Sequence, residues 1–207
     1  MEKLDLTKKY KTYFTAKIKP EIVEIEAAQF LSLTGKGDPS GEPFAKNIEA
    51  LYSTAYTIKF VFKQLDKDFT VSKLEALWWF DQARFGAFSL SEAPQKIPRN
   101  EWEYRLLIRM PGYVTEQDVK NAIQTVVAKK QIELAKSVEF YTMTEGKCVQ
   151  MLHVGPFSTE PETLEKMNVL IQQHGFQKNG EHHEIYLSDF RKTDPDKLKT
   201  ILREPVK

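Results

Sequence analysis

Between Pro43 and Gln64 the apolar residues fall at Phe44, Ile48, Leu51, Ala55, Ile58 and Phe62, in steps of 4, 3, 4, 3 and 4. Only a helix of about five turns brings those positions onto one stripe. A helix that is apolar along one stripe has to lay it on a second layer, and the rest of the chain supplies one. Residues 102–110 alternate: Trp102, Tyr104, Leu106, Ile108 and Met110 face one way, and Glu103, Arg105, Leu107 and Arg109 the other. A long one-sided helix followed by a period-two strand restricts the chain to helices packed on a sheet.

The remaining segments extend that pattern. Residues 22–34 read as one strand closing at Gly35-Lys36-Gly37-Asp38-Pro39-Ser40-Gly41, a turn whose glycine spacing fits neither dinucleotide nor phosphate-loop patterns. Residues 74–80 (L-E-A-L-W-W-F) read as a buried strand, and 89–100, with Pro94 and Pro98, as a loop. Thr115 is placed to cap a second helix with Asp118 at its third position and Val119, Ala122, Ile123, Val126 and Val127 inward. A hairpin follows, 138–143 and 147–154 around Glu145-Gly146, broken by Gly155-Pro156. Thr159 and Glu162 have capping-box spacing for a third helix ending at Gly175; 181–188 reads as a strand, and Asp194-Pro195 as the start of a short last helix. The strand, turn and helix of 24–64 recur at 147–174, and each copy leads to an aromatic strand ending in Asp: L-W-W-F-D at 77–81 and I-Y-L-S-D at 185–189. The expected fold is α+β: a single domain over 1–207 with a duplicated strand-helix-strand-strand unit, repeat one about 20–110 and repeat two about 115–207.

Charge and cysteine content narrow the function classes. Thirty basic against 29 acidic residues leave a net charge of +1, with no general drive toward nucleic acid or anionic lipid. The single cysteine, Cys148, excludes an internal disulfide framework and a thiolate-rich zinc site. No run approaches the roughly 20 apolar residues of a membrane span, and charges stand where a signal peptide needs its apolar core. A cytoplasmic protein without nucleic-acid or membrane partners is expected, as a monomer or weak homodimer. The lysines of the first twenty residues are interrupted by Tyr10, Tyr13, Phe14 and Ile18, as in a surface segment packing its aromatics. The 13 Phe, 8 Tyr and 3 Trp serve either a core or a pocket for flat or cationic ligands.

The run V-Q-M-L-H-V-G-P-F (149–157), then H-H-E-I-Y-L-S-D (182–189), then D-P-D-K-L-K-T-I-L-R-E-P-V (194–206) resembles the end of a GyrI-like small-molecule-binding domain. F-L-S-L-T-G-K-G (30–37) and L-W-W-F-D resemble a stand-alone branch of that family, which also supplies effector-binding halves of drug-responsive bacterial transcription regulators. The resemblance implies two repeats related by pseudo-twofold symmetry around an aromatic-lined cleft. It also implies a hydrophobic, planar or cationic small-molecule ligand held against aromatic rings and a buried carboxylate. For some stand-alone members it implies hydrolysis of reactive cyclopropane-containing compounds; the alternative is a non-catalytic sequestering or effector-binding module acting through a protein partner. No cofactor is implied.

Glu184 matches the acidic position of the family's E-I-Y motif, and strand alternation puts it on one face with His182 and Tyr186, opposite His183, Ile185 and Leu187. That face is either solvent or cleft; in a cleft walled by aromatics, desolvation raises the carboxylate's pKa and fits it for general-base catalysis. Trp102, Tyr52, Tyr56 and Phe157 are candidates to line the cleft. Glu103 stands between a cleft role and pairing with Arg105 and Arg109 at the surface. Of the adjacent Trp78 and Trp79 at most one faces the cleft, and Trp79 is carried as the candidate. The H-x-E pair at 182–184 has no third ligand at diagnostic spacing, so no metal is expected. Cys148, inside a strand with no base beside it, reads as an inert thiol.

Overall fold

In the computed structural model, which describes residues 3–89 and 91–207, the chain begins with β1 (Leu4–Asp5) and α1 (Leu6–Lys9), then β2 (Glu21–Ile25) and β3 (Ala28–Lys36). It continues through α2 (Glu42–Gln64), β4 (Phe69–Thr70), β5 (Leu74–Trp79), α3 (Gln82–Phe85), α4 (Ala93–Lys96) and β6 (Glu103–Arg109). The second half comprises α5 (Glu116–Lys130), β7 (Glu139–Met143), β8 (Gly146–Val154), α6 (Glu160–Gln173), β9 (His182–Tyr186) and β10 (Lys199–Pro205). Eight strands form one antiparallel sheet in the order β2-β8-β10-β9-β5-β6-β3-β7; β1 and β4 pair separately and in parallel.

The helix stripe is buried at all six positions, laid over β3 and β6. Helix α5 starts as its sequence predicts: Thr115 accepts from the Asp118 backbone N–H, and the Asp118 carboxylate accepts from the Thr115 N–H in return. The segment 22–34 is two strands, not one. β2 lies at one edge of the sheet and β3 next to the other, yet only Glu26 and Ala27 separate them. Three residue steps span at most about 10 Å, so the two ends of the sheet come close and the sheet curls. Side chains from β2, β3, β5, β6, β8, β9 and β10 accordingly meet in one cluster inside the curl, around Ile25, Phe30, Leu77, Leu107, Cys148, Ile185 and Ile201.

The N-terminal segment fills that cluster rather than lying on the surface. Leu6, Tyr13 and Phe14 are buried in it. The Arg109 guanidinium stacks 4.0 Å from the Tyr10 ring and 4.3 Å from the Tyr13 ring, and Arg203 stacks 4.6 Å from Tyr13. Beneath them a polar network crosses the core. Tyr13 Oη donates to Glu75 at 2.5 Å; His183 bridges Glu75 at 3.0 Å and Glu145 at 2.9 Å; Arg203 donates to Glu145, Gln150 and the Tyr13 carbonyl. Two carboxylates, a guanidinium and an imidazolium balance in charge, which a buried cluster requires.

Three connections differ from their sequence reading. Residues 138–154 do not form a hairpin: β7 pairs with β3, and β8 pairs with β2 and β10. Gly35 and Lys36 belong to β3, where a Cβ on Gly35 would sit 2.5 Å from the Tyr104 ring crossing it from β6. The last helix is a single tight turn, Pro195–Lys197, followed by β10, which lies inside the sheet between β8 and β9. Its Arg203 and Glu204 interrupt the apolar run of K-T-I-L-R-E-P and hide a strand whose charged residues find buried partners. Among the described residues no helix is long and apolar enough to cross a membrane.

Candidate functional site

Helix α2 lies on β3 and β6, and α6 lies on β8. The two central strands, β5 and β9, run between these helices, so the helix-side face of β9 carries the residues in the gap. They are His182, Glu184 and Tyr186, as strand alternation predicts. Tyr186 Oη donates to Glu184 Oε2 at 2.7 Å, and Trp78 Nε1 donates to Tyr186 Oη at 3.2 Å. On the other side of Glu184, His182 Nε2 is 3.4 Å from Oε1, while its Nδ1 contacts Glu204 of β10. Burial opposes protonation of His182, but Glu204 and Glu184 outweigh it and hold the imidazole up at about 10. His182 is therefore an imidazolium at neutral pH. Burial and the Glu184 charge push the Tyr186 phenol well above its ordinary value, so it stays a donor.

Aromatic rings surround this polar row. Tyr186, Phe157 and Phe190 pack mutually edge-to-face with centroids 5.8–6.0 Å apart. Trp78 stacks on Phe44 at 5.8 Å and meets Trp102 edge-on at 6.3 Å, and Trp102 in turn meets Phe80 at 5.6 Å. Gly155 adopts φ +136°, a conformation glycine favours, and turns the chain so that Phe157 leads into α6 beside β9. Ser91 Oγ donates to Glu165 Oε2 of α6 at 2.6 Å.

Glu184, His182, Tyr186, Trp102 and Phe157 are thus brought together. Tyr52 is half-buried at the edge, near Asp189 and Arg191, with burial pushing its phenol up to about 12. Tyr56 points outward, 43% exposed, in a row with Tyr52 and Phe60 along α2. Trp79 and Glu103 lie on the opposite face of the sheet, where Trp79 Nε1 donates to Glu103 Oε2 at 3.0 Å; Trp78, opposite His182 and bonded to Tyr186, is the tryptophan of β5 on the Glu184 face. Thr159 makes no side-chain cap for α6; its hydroxyl bonds the Pro156 carbonyl. Burial pushes the Cys148 thiol well up, away from reactivity.

One residue of the site has no counterpart in the sequence reading. Glu160, the first residue of α6, is buried, and its Oε1 has no hydrogen-bond partner among the described residues. Burial, with the Glu184 charge, pushes its carboxyl well above the usual range. The signal was its spacing: Phe157 and Glu160 are three apart on one helical turn and so share a side. Among the described residues no group of three or more His, Cys, Asp or Glu is arranged to hold a metal ion. Two surface depressions, one between α2 and α5 and one beside Ile18 and the start of α6, lie apart from Glu184.

The chain is similar over its whole length to solved proteins from Listeria innocua. One, an uncharacterized conserved protein, is 39% identical, with a TM-score of 0.87, 99% of this chain and 100% of that chain covered. Another, described as a hydrolase, is 37% identical, with a TM-score of 0.84 and the same coverage. The C-terminal domain of EcmrR shares the fold at 8% identity and a TM-score of 0.54, over 91% of this chain and 97% of that one. No curated protein sequence matches. The family model described as "GyrI-like small molecule binding domain" matches residues 18–207. With nine-tenths of its residues inside that match, the chain belongs to the GyrI-like small-molecule-binding domain family.

Proposed function

We propose that this protein binds hydrophobic, planar or cationic small molecules between the helices, over Glu184, and hydrolyses those carrying a strained cyclopropane. The observation that carries the reading is a carboxylate flanked by an imidazolium and a phenol and ringed by Trp78, Trp102, Phe157 and Phe190. The Listeria relative described as a hydrolase supports the catalytic half. Flat rings offer a ligand stacking area, and the carboxylate either balances a ligand cation or accepts a proton from water. Tyr186 and Trp78 are 7% exposed, so a ligand enters by displacing the rings packed on them, Phe157 and Phe190 at Tyr186 and Trp102 at Trp78.

The connectivity is also consistent with a duplicated unit around the cleft. β3, α2, β5, β6 and β8, α6, β9, β10 follow the same order in sequence. In the sheet they read β8-β10-β9 on one side of the centre and β5-β6-β3 on the other. A pseudo-twofold axis would then pass between β5 and β9, beside Glu184, within a single domain.

In catalysis Glu184 accepts a proton from water as the water oxygen bonds a ring carbon and the strained C–C bond breaks. The proton then returns to the group that took the bond's electron pair, so the product is substrate plus water, while His182 and Tyr186 fix the carboxylate's orientation. Glu184→Gln keeps the shape but removes the acceptor. The variant should bind a cyclopropane-bearing compound with affinity near wild type while its hydrolysis slows by about 10²–10⁴, read by mass spectrometry of the water adduct. Recovery of intact ligand from the wild-type protein would reduce the protein to a binding module. Full turnover by the variant would end the assignment of Glu184.

A further inference from the structure

We infer that Glu204 of β10 is a positioning residue that sets the charge of this site: it balances His182, so that Glu184 meets the ligand as an uncompensated anion. The inference rests on the binding half of the proposed function and names its specificity, a ligand cation over an uncharged molecule of the same shape.

Arg203 pairs with His183 across β10 and β9, which puts Glu204 opposite His182 on the helix side of the sheet. Its neighbours there are apolar: Leu202 and Val206 along β10, and Val149 across on β8, all packed under α6. A carboxylate 2% exposed among such residues needs a cation beside it, and His182 Nδ1 is in contact with it. The other ring nitrogen, Nε2, lies 3.4 Å from Glu184 Oε1. A neutral imidazole carries one N–H and would turn a lone pair on one of these two carboxylates. Both contacts are favourable only when both nitrogens carry hydrogen, so the ring between them is an imidazolium.

The titratable groups that face His182 are Glu184 and Tyr186 on its own strand, Glu204 on β10 and Glu160 on α6; its neighbour on β5 is the uncharged Trp78. Burial and the Glu184 charge keep the Glu160 carboxyl protonated, and Tyr186 stays a phenol. Among the described residues no lysine or arginine pairs with Glu184 or Glu204. One imidazolium against two carboxylates leaves a single negative charge. Glu204 is the more deeply buried of the two, at 2% side-chain exposure against 13%, so the surplus is presented by Glu184. Without Glu204, His182 and Glu184 would neutralise each other, and a cation would meet no net charge.

The test titrates N-methylacridinium, a planar cation, and methylanthracene, its uncharged isostere, against the full-length protein between about pH 6 and about pH 8, where a histidine freed of one partner titrates. The variants are Glu204→Gln, and Glu204→Gln combined with His182→Gln. Wild type should hold the cation evenly across this range, because Glu204 and Glu184 keep His182 charged up to about 10. In Glu204→Gln, His182 stays charged at the acid end and cancels Glu184, which should weaken the cation roughly 10–100-fold. As pH rises His182 loses its proton, Glu184 is uncovered and the affinity should return. The double variant has no imidazole to cancel Glu184 and should bind the cation as wild type does, a rescue that a merely structural role of Glu204 would not give. A slope contributed by Glu160 would appear in all three proteins, so the readout is the difference between them, and methylanthracene should bind all three alike. Nitrogen NMR of the wild-type protein should find both His182 ring nitrogens protonated at neutral pH. A cation affinity in folded Glu204→Gln that matches wild type at every pH would overturn the inference, as would a loss that the double variant does not restore. A neutral His182 ring in wild type would overturn it as well, whether or not the variants fold. Wild type binding the cation no more tightly than Glu184→Gln does would instead overturn the binding reading, a result kept distinct by the NMR measurement.

Discussion

Raising the pH from about 6 to about 8.5 should weaken this fold, and the buried network under Tyr13 carries a large share of the loss. Burial alone would drive the His183 imidazole toward its neutral form, but Glu145 and Glu75 hold it up at about 8, against an ordinary 6.5. A histidine whose folded value is the higher one stabilises fully below 6.5, and that contribution is lost as pH rises through 8. The difference of about 1.5 units corresponds to about 2 kcal/mol at 1.36 kcal/mol per unit. Spread over a chain of this size, 2 kcal/mol lowers Tm by roughly 4–8 °C. His182, held up at about 10, loses at least as much again over the same range and in the same direction. Tyr13 and Cys148, both pushed up, add their losses only above about pH 9. Urea titrations across this range should show the midpoint falling steadily, with the slope unchanged, and NMR should place the His183 midpoint near 8. A midpoint in urea that stays flat or rises, or an imidazole titrating at or below 6.5, would refute the reasoning.

Two further outcomes follow from the geometry. Gly35→Ala puts a Cβ into the Tyr104 ring and should cost about 1–3 kcal/mol in urea unfolding, whereas Gly112→Ala, with open space around it, should be nearly neutral. Trp102→Ala removes the ring between Trp78 and Phe80 and should weaken binding of a planar hydrophobic dye about tenfold, or about 1.4 kcal/mol; unchanged affinity in the folded variant would take Trp102 out of the site.

Local periodicity was enough to locate α2, the Thr115 cap of α5, the alternation of β6 and the face of Glu184, because each of these depends on neighbours within a few residues. What escaped depends on partners far away. The split of 22–34 into β2 and β3 follows from sheet ends that no local pattern reports. β10 was hidden because Arg203 and Glu204 look like surface residues until Glu145, Gln150 and His182 are set beside them. Trp79 was preferred to Trp78 with no means of knowing which face β5 turns to α2. Glu160 was overlooked because an acidic residue at a helix start reads first as a solvated dipole partner, and its burial beside the Glu184 charge says otherwise.

The strand order also bears on how the molecule is assembled in time. β3, β5, β6 and β7, with α2 and α5, come from the continuous stretch 28–143, whereas β2 has to find β8 from far away in sequence, and Arg203 has to reach Tyr13 across 190 positions. Long closures of this kind slow a search more than local ones do. The continuous stretch can therefore organise first and wait for its complement. Glu184 sits on the strand that joins the two, so the proposed binding face comes into being only at the last docking step. Ligand capture then reports completion of folding, and a trapped intermediate with most of its helix content would hold no ligand at all.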